Sequence, residues 1–165
     1  MKANKFIVFL GGILGIVAFF LPLITITSHG EKVKPSAMQI FKGVDAIHHE
    51  MDSNQELRAA MSSEGMSAAK DGANAVKGIV IAVFLPALLL ALIGGLGVAR
   101  RKFGRVAGTF SLIFGLIGLA IAGLLVAAAE GDSGAGIMLL VVTGVAGFLG
   151  GLLTLIKPDR GLATA

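Results

Sequence analysis

Four long stretches of this chain contain no Asp, Glu, Lys, Arg or His, and they limit its possible folds more than any other feature. They cover residues 6–28, 78–99, 106–129 and 133–156. About 20 residues of helix cross the ~30 Å hydrocarbon layer of a bilayer, and a segment exposed to lipid must pair its backbone groups within itself. We therefore predict an all-α membrane protein, a bundle of four transmembrane helices.

The lengths of these stretches and of the segments between them predict a single membrane domain over residues 1–165. The expected transmembrane helices cover residues 6–26, 78–98, 106–128 and 136–156. The remaining segments are an extracytoplasmic loop at 27–77, a cytoplasmic link at 99–105, an outer link at 129–135 and a cytoplasmic tail at 157–165.

The basic residues beside the uncharged stretches predict the orientation of the bundle. Lys2 and Lys5 precede the first stretch, four basic residues lie between the second and third, and Lys157 and Arg160 follow the last. The link between the third and fourth stretches is acidic instead, with Glu130 as its first charge. Lys and Arg next to membrane helices stay on the cytoplasmic side. We expect both termini to be cytoplasmic, and the membrane to be a bacterial inner membrane.

Composition excludes several classes of protein. Hydrophobic residues make up 55% of the chain and charged residues 15%, which is not the balance of a soluble globular domain. The absence of cysteine excludes disulfides and thiolate metal sites. The net charge of +4 is divided among membrane-flanking segments rather than gathered on one soluble face, so we expect no nucleic-acid partner.

Small residues at helical spacing predict how the helices pack, because lipid gives apolar helices little reason to associate and close backbone contact becomes the main attraction. The candidate packing residues are Gly11, Gly15, Gly104, Gly108, Ser111, Gly115, Gly144, Gly147 and Gly151. Two hypotheses are open for them. They form contacts inside one bundle, which we favour, or they form an interface with another subunit.

Two prolines predict interruptions of the helices. Pro86 lies near the middle of the second stretch, where its missing amide and its ring predict a kink. Pro22 precedes a segment rich in β-branched residues, so we expect the first helix to stop near it and an extended strand to follow. A turn at 28–31 and a short strand at 32–34 then predict a small hairpin at the membrane surface.

The loop between the first two stretches contains an amphipathic helix pattern. Its apolar positions recur at helical spacing after Pro35, and Ser36 is suited to cap the start of the helix. The candidate residues for contact with a partner are Ile40, Phe41, Val44, Ile47 and Met51. A weaker helix is expected at 53–61, and irregular structure at 62–74, which is rich in Ser, Gly and Ala.

A search for chemistry yields no candidate catalytic, cofactor or metal site. All three histidines, His29, His48 and His49, lie in the loop, so no transmembrane helix supplies the ligand that a haem within the membrane commonly uses. The transmembrane stretches also lack the ionisable residue that ion-coupled transporters usually keep there. We therefore expect no enzymatic activity and no cofactor.

The leading hypothesis is a non-catalytic integral membrane subunit, a structural or accessory component of a larger membrane assembly. Its expected partners are membrane lipid and either other membrane-protein subunits or further copies of the chain. Two alternatives stay open. One is a small channel or transporter for an uncharged solute that works around Pro86, and the other is an extracytoplasmic sensor or ligand-binding module in the long loop.

Overall fold

Five helices and one short antiparallel sheet make up the described part of the chain. The computed structural model describes residues 4–28, 31–54, 62–100, 103–129 and 132–158. In chain order the elements are α1 (Asn4–Ala18), β1 (Ile26–Ser28), β2 (Glu31–Val33), α2 (Ala37–Ser53), α3 (Ser63–Ala99), α4 (Arg105–Ala128) and α5 (Ala135–Ile156). The predicted all-α class is confirmed. Helices α3, α4 and α5 are each long and apolar enough to cross a membrane.

Helix α1 is shorter than the predicted segment 6–26. It has 15 residues and a length of ~22 Å, which is less than the ~30 Å hydrocarbon layer. The backbone N–H groups of Phe19, Phe20 and Leu21 each bond the carbonyl three residues earlier, so the helix tightens and then stops. Pro22 follows with no N–H to offer. The prediction that the helix stops near Pro22 therefore describes the structure better than the prediction of helix through residue 26.

The four apolar helices form a ring in the order α1, α3, α4, α5. Helix α1 packs against α3 and α5, and α4 packs closely against α5 and more sparsely against α3. Two clusters of buried side chains fill the bundle, one toward each end. The cluster near the start of α1 consists of Val8, Leu90 and Phe103, and the cluster near its end includes Ala18, Leu23, Ala37, Val80, Ala122, Ile137 and Leu140.

The non-helical segment 19–25 lies between the start of α2 and the link that joins α4 to α5. On one side, Leu23 N donates to Pro35 O at 3.0 Å and Met38 N donates to Phe19 O at 3.2 Å. On the other side the same segment bonds the link through three backbone hydrogen bonds, from Thr25 N to Asp132 O, from Gly134 N to Leu23 O and from Gly136 N to Pro22 O. The segment therefore pairs several of its backbone groups with neighbouring segments without being helical.

The short sheet continues from this segment. Strand β1 pairs antiparallel with β2, and Ile26 lies opposite Val33 while Ser28 lies opposite Glu31. The predicted turn between the strands includes residues 29 and 30, which lie outside the described residues.

Helix α3 is much longer than the predicted transmembrane segment 78–98. It has 37 residues and continues through Pro86 and back to Ser63, so the prediction of irregular structure at 62–74 was wrong. Extending an existing helix is far easier than starting one, and the adjacent apolar segment supplies that start. Of the weaker helix predicted at 53–61, residues 55–61 lie outside the described residues, and Ser53 ends α2.

Candidate partner-contact site

Helix α2 and residues 63–77 of α3 pack side by side, and we call this pair the helical hairpin. The α3 part consists of 15 residues that precede the apolar segment, so it extends ~22 Å beyond that segment. No helix break separates the two parts of α3. The helical hairpin is thus joined to the bundle through a continuous helix.

The start of α2 is fixed by a complete capping box. Gln39 N donates to Ser36 Oγ at 3.2 Å, and Ser36 N donates to Gln39 Oε1 at 2.9 Å. The two bonds satisfy backbone donors that the first turn of a helix otherwise leaves unpaired. The predicted role of Ser36 as a cap is confirmed, and the cap anchors α2 beside segment 19–25.

Two ion pairs join α2 to α3 along one edge of the helical hairpin. Lys77 pairs with Asp45, and Lys70 pairs with Asp52 at 2.5 Å. The two acids are seven residues apart on α2, and the two lysines are seven residues apart on α3. The earlier acid pairs with the later lysine, so the helices run antiparallel, and both ion pairs fit because each spacing is about two helical turns. Sequence analysis did not pair these acids with the lysines. Opposite charges at equal heptad spacing were the signal that could have done so.

The predicted partner-contact residues divide into two groups. Val44 is 6% exposed, and Ile40 and Phe41 pack against the buried cluster that contains Ala37 and Val80, so these three serve the interior of the chain. Met51 is half-buried. Ile47 differs from the others because 46% of its surface is exposed. The apolar face of α2 is therefore largely covered by the chain itself, and Ile47 is the member that stays accessible.

His48 lies between the two ion-paired acids of α2. Its Nε2 atom is buried and has no hydrogen-bond partner within the described part of the chain. Leaving a buried polar atom unpaired costs about 1–3 kcal/mol. The described residues bring no three His, Asp or Glu side chains within reach of one metal ion.

Seven of the predicted packing glycines lie at contacts between helices of this chain. Four of them lie on α1 and α4, and a Cβ atom added at any of these would contact α5. They are Gly11, Gly15, Gly108 and Gly115. On α5, a Cβ at Gly144 would meet Leu119, one at Gly147 would meet Leu90, and one at Gly151 would meet Leu112. The structure places these seven glycines at helix contacts inside the bundle, and the hypothesis of an interface with another subunit stays open.

Ser111 and Gly104 behave differently from the other predicted packing residues. Ser111 is fully buried, and its Oγ has no hydrogen-bond partner among the described residues. Gly104 is exposed at the start of α4, and a Cβ added there would meet nothing within 4 Å. Gly104 therefore contributes space at that end of the bundle rather than a helix contact.

Besides Gly15, whose added Cβ would overlap Ala87 Cβ, the contact between α1 and α3 depends on two glycines that sequence analysis did not select. A Cβ at Gly94 would lie 2.5 Å from Phe9 N, and a Cβ at Gly12 would overlap the backbone of Ala91. For Gly94, the sequence did contain a signal of close packing, because residues 94–97 include three glycines. Those glycines do not have the four-residue spacing of GxxxG, which was the pattern used for the selection.

Pro86 is buried and faces the bundle interior. It lines a small void together with Ala87, Leu90, Gly118 and Thr143, among others. The void has a volume of about 10 Å³, which is space for roughly one water molecule. The kink expected at Pro86 stays a prediction, since what the structure establishes is a helix that continues through this position.

Comparison with protein-family models, with curated proteins and with solved structures found no match to this chain.

Proposed function

We propose that this chain is a non-catalytic integral membrane protein whose helical hairpin contacts a protein partner in a larger membrane assembly. One observation carries the proposal: a polar, ion-paired helical projection is continuous with an apolar helix of membrane-spanning length. Such an element can hold a partner at a fixed position relative to the bundle. Its inner side is used by the chain, and its outer side is accessible.

A fourth membrane crossing by α1 is part of the proposal. Helix α1 alone is too short, but segment 19–25 continues from it with several of its backbone groups paired to neighbouring segments. Non-helical backbone is tolerated at membrane depth where it is buried in protein. The helix and this segment together can therefore complete the crossing.

The proposed orientation follows from the charges at one end of the bundle. Lys5 lies at the start of α1, Arg100 at the end of α3, Arg105 at the start of α4 and Lys157 at the end of α5. Asn4 Nδ2 donates to Lys157 O at 3.4 Å, which supports placing the start of α1 and the end of α5 on the same side. Because basic flanks stay cytoplasmic, this end faces the cytoplasm and the helical hairpin faces outward.

The accessible part of the helical hairpin supplies a specific contact. Ile47 is half-exposed, although its neighbours on the apolar face are covered. Contact with a partner would remove the exposed 46% of its surface from water, which contributes about 1 kcal/mol, roughly half of what full burial of such a side chain gives. The partner is a membrane-protein subunit or a further copy of the chain. The small void at Pro86 favours a packed interior over a path for a solute.

The experiment compares the size of the particle that mild detergent extracts from native membranes. The wild-type chain, of 16.8 kDa, is expected to migrate in a particle several times larger than itself. Ile47→Glu places a charge at the accessible apolar position and is expected to release the single chain. Measuring the particle mass and its protein content separates a homo-oligomer from a mixed assembly.

Ala46→Glu is the matched control. Ala46 is exposed on α2 beside Ile47 but lies on the polar face, so the same charge is expected to leave the large particle intact. A wild-type chain extracted as a clean monomer would contradict the proposal. Equal effects of the two substitutions would show that Ile47 is not the contact.

A further inference from the structure

A groove opens between α3 and α4 at the basic end of the bundle. Ile93, Leu96 and Arg100 line its α3 side, and Val106 and Phe110 line its α4 side. Its volume is about 380 Å³, within the ~300–1,000 Å³ range typical of sites for small molecules. The groove exists because α3 and α4 pack sparsely. Between α4 and α5, by contrast, glycines allow close packing that leaves no such groove among the described residues of these helices.

The walls of the groove are apolar and face out of the bundle. Leu96 is 55% exposed, Val106 71% and Phe110 50%. In a bilayer, such surfaces contact acyl chains rather than water. Gly104 lies at the mouth, where an added Cβ would meet nothing within 4 Å, so access from the level of the lipid headgroups is open.

The mouth of the groove is basic. Arg100 lines it, and Arg105 is the first residue of α4. Residues 72–129 contain no Asp or Glu, so this part of the chain supplies no acid of its own to balance these charges. Arginine binds phosphate oxygens through a planar fork of donors. Apolar walls below a basic mouth match an acyl chain below an anionic phosphate.

We propose that the α3–α4 groove binds one anionic phospholipid of the cytoplasmic leaflet, with its phosphate at Arg100 and an acyl chain along Leu96 and Phe110. Basic pockets between membrane helices on the cytoplasmic side bind anionic headgroups in this way. The inference rests on the membrane location and orientation given under the proposed function, but not on the protein partner.

The test is native mass spectrometry of the purified full chain in non-ionic detergent with equal amounts of dioleoyl phosphatidylglycerol and dioleoyl phosphatidylcholine. The wild-type chain is expected to retain one phosphatidylglycerol in preference to phosphatidylcholine, by about five-fold, the ratio that ~1 kcal/mol from one arginine gives. Arg100→Gln is expected to bring the ratio close to one. Gly104→Leu, which fills the mouth, is expected to reduce retention of both lipids.

Lys157→Gln is the matched control, because it removes one positive charge at the same end of the bundle but outside the groove. It is expected to preserve the preference for phosphatidylglycerol. Equal retention of the two lipids by the wild-type chain would overturn the proposal, as would equal losses in Arg100→Gln and Lys157→Gln. These measurements use the isolated chain, so a failure of the partner-contact proposal, measured on native membranes, would be separate from a failure here.

Discussion

Lys77 of α3 donates a hydrogen bond to Asp45 Oδ1 of α2, and its Nζ lies 5.0 Å from the centroid of the Phe41 ring. One lysine therefore contacts both a charged and an aromatic side chain of the neighbouring helix. It lies where the polar part of α3 meets the apolar part. The contact fixes the base of the helical hairpin, and Lys70 with Asp52 fixes it two turns further along.

Lys77→Ala is expected to loosen the helical hairpin. The ion pair is partly exposed and contributes up to about 1 kcal/mol, and the cation–π contact contributes about 0.5–1 kcal/mol. A total near 1 kcal/mol corresponds to amide hydrogen exchange about five-fold faster over residues 63–77. Lys42→Ala, at an exposed position of α2, is the control and is expected to leave this exchange unchanged. Equal rates in both variants would contradict a role for Lys77 in holding the hairpin.

His48→Leu is expected to stabilise the helical hairpin. The substitution removes a buried nitrogen that has no hydrogen-bond partner in the described residues and replaces it with an apolar group of similar size. Amide exchange in α2 should slow by several-fold, whereas His49→Leu, at an exposed position, should not slow it. Faster exchange in His48→Leu would indicate that the imidazole makes an interaction that stabilises the helical hairpin.

Ser36→Ala is expected to destabilise the first turn of α2 by about 1 kcal/mol, because it removes the acceptor for Gln39 N. Hydrogen exchange of residues 37–40 measures the effect. Ser53→Ala at the other end of α2 removes a hydroxyl that donates to His49 O at 2.7 Å, and it should leave those amides unaffected. No difference between the two variants would mean that segment 19–25 and the buried cluster fix α2 without the cap.

Gly151→Ala and Gly123→Ala test the close contact of α4 with α5. Both substitutions replace glycine inside a helix, which by itself favours the helix by about 1 kcal/mol. A Cβ at Gly151 would lie 2.5 Å from Leu112 N, which cannot rotate away, whereas one at Gly123 would meet nothing within 4 Å. Gly151→Ala is expected to lower the free energy of unfolding by about 1–3 kcal/mol, so its thermal unfolding in detergent should occur at a lower temperature. Gly123→Ala should not lower the unfolding temperature. Equal melting temperatures would contradict the close helix contact.

Sequence analysis predicted the extents of α4 and α5 closely. The predicted segments 106–128 and 136–156 end at the same residues as the two helices, and each helix begins one residue earlier. In these segments hydrophobicity, length and the glycines before each helix all indicate the same bounds. The selected glycines other than Gly104 lie at helix contacts, where close packing requires the absence of a side chain.

The helical hairpin was not predictable in the same way, because it depends on contacts between distant residues. Gly65 and Gly72 lower the helix propensity of the segment before α3, and propensity alone favours a loop there. The adjoining apolar helix and the ion pairs to α2 outweigh that preference. Likewise, residues 19–25 are uncharged, like residues 6–18 of the helix before them. Their non-helical conformation depends on hydrogen bonds to residues 35–38 and 132–136.

The accessibility of single cysteines tests the central proposal, in which the chain crosses the membrane four times and the helical hairpin lies on the outer side. The chain has no cysteine, so each substitution creates one reporter. In intact cells, a membrane-impermeant maleimide should label Asn54→Cys and Asp132→Cys. It should label Asn4→Cys, Gly104→Cys and Lys157→Cys after permeabilisation and not before. Labelling of Asn4→Cys together with Asn54→Cys in intact cells would contradict the crossing by α1, and labelling of Lys157→Cys there would contradict the orientation.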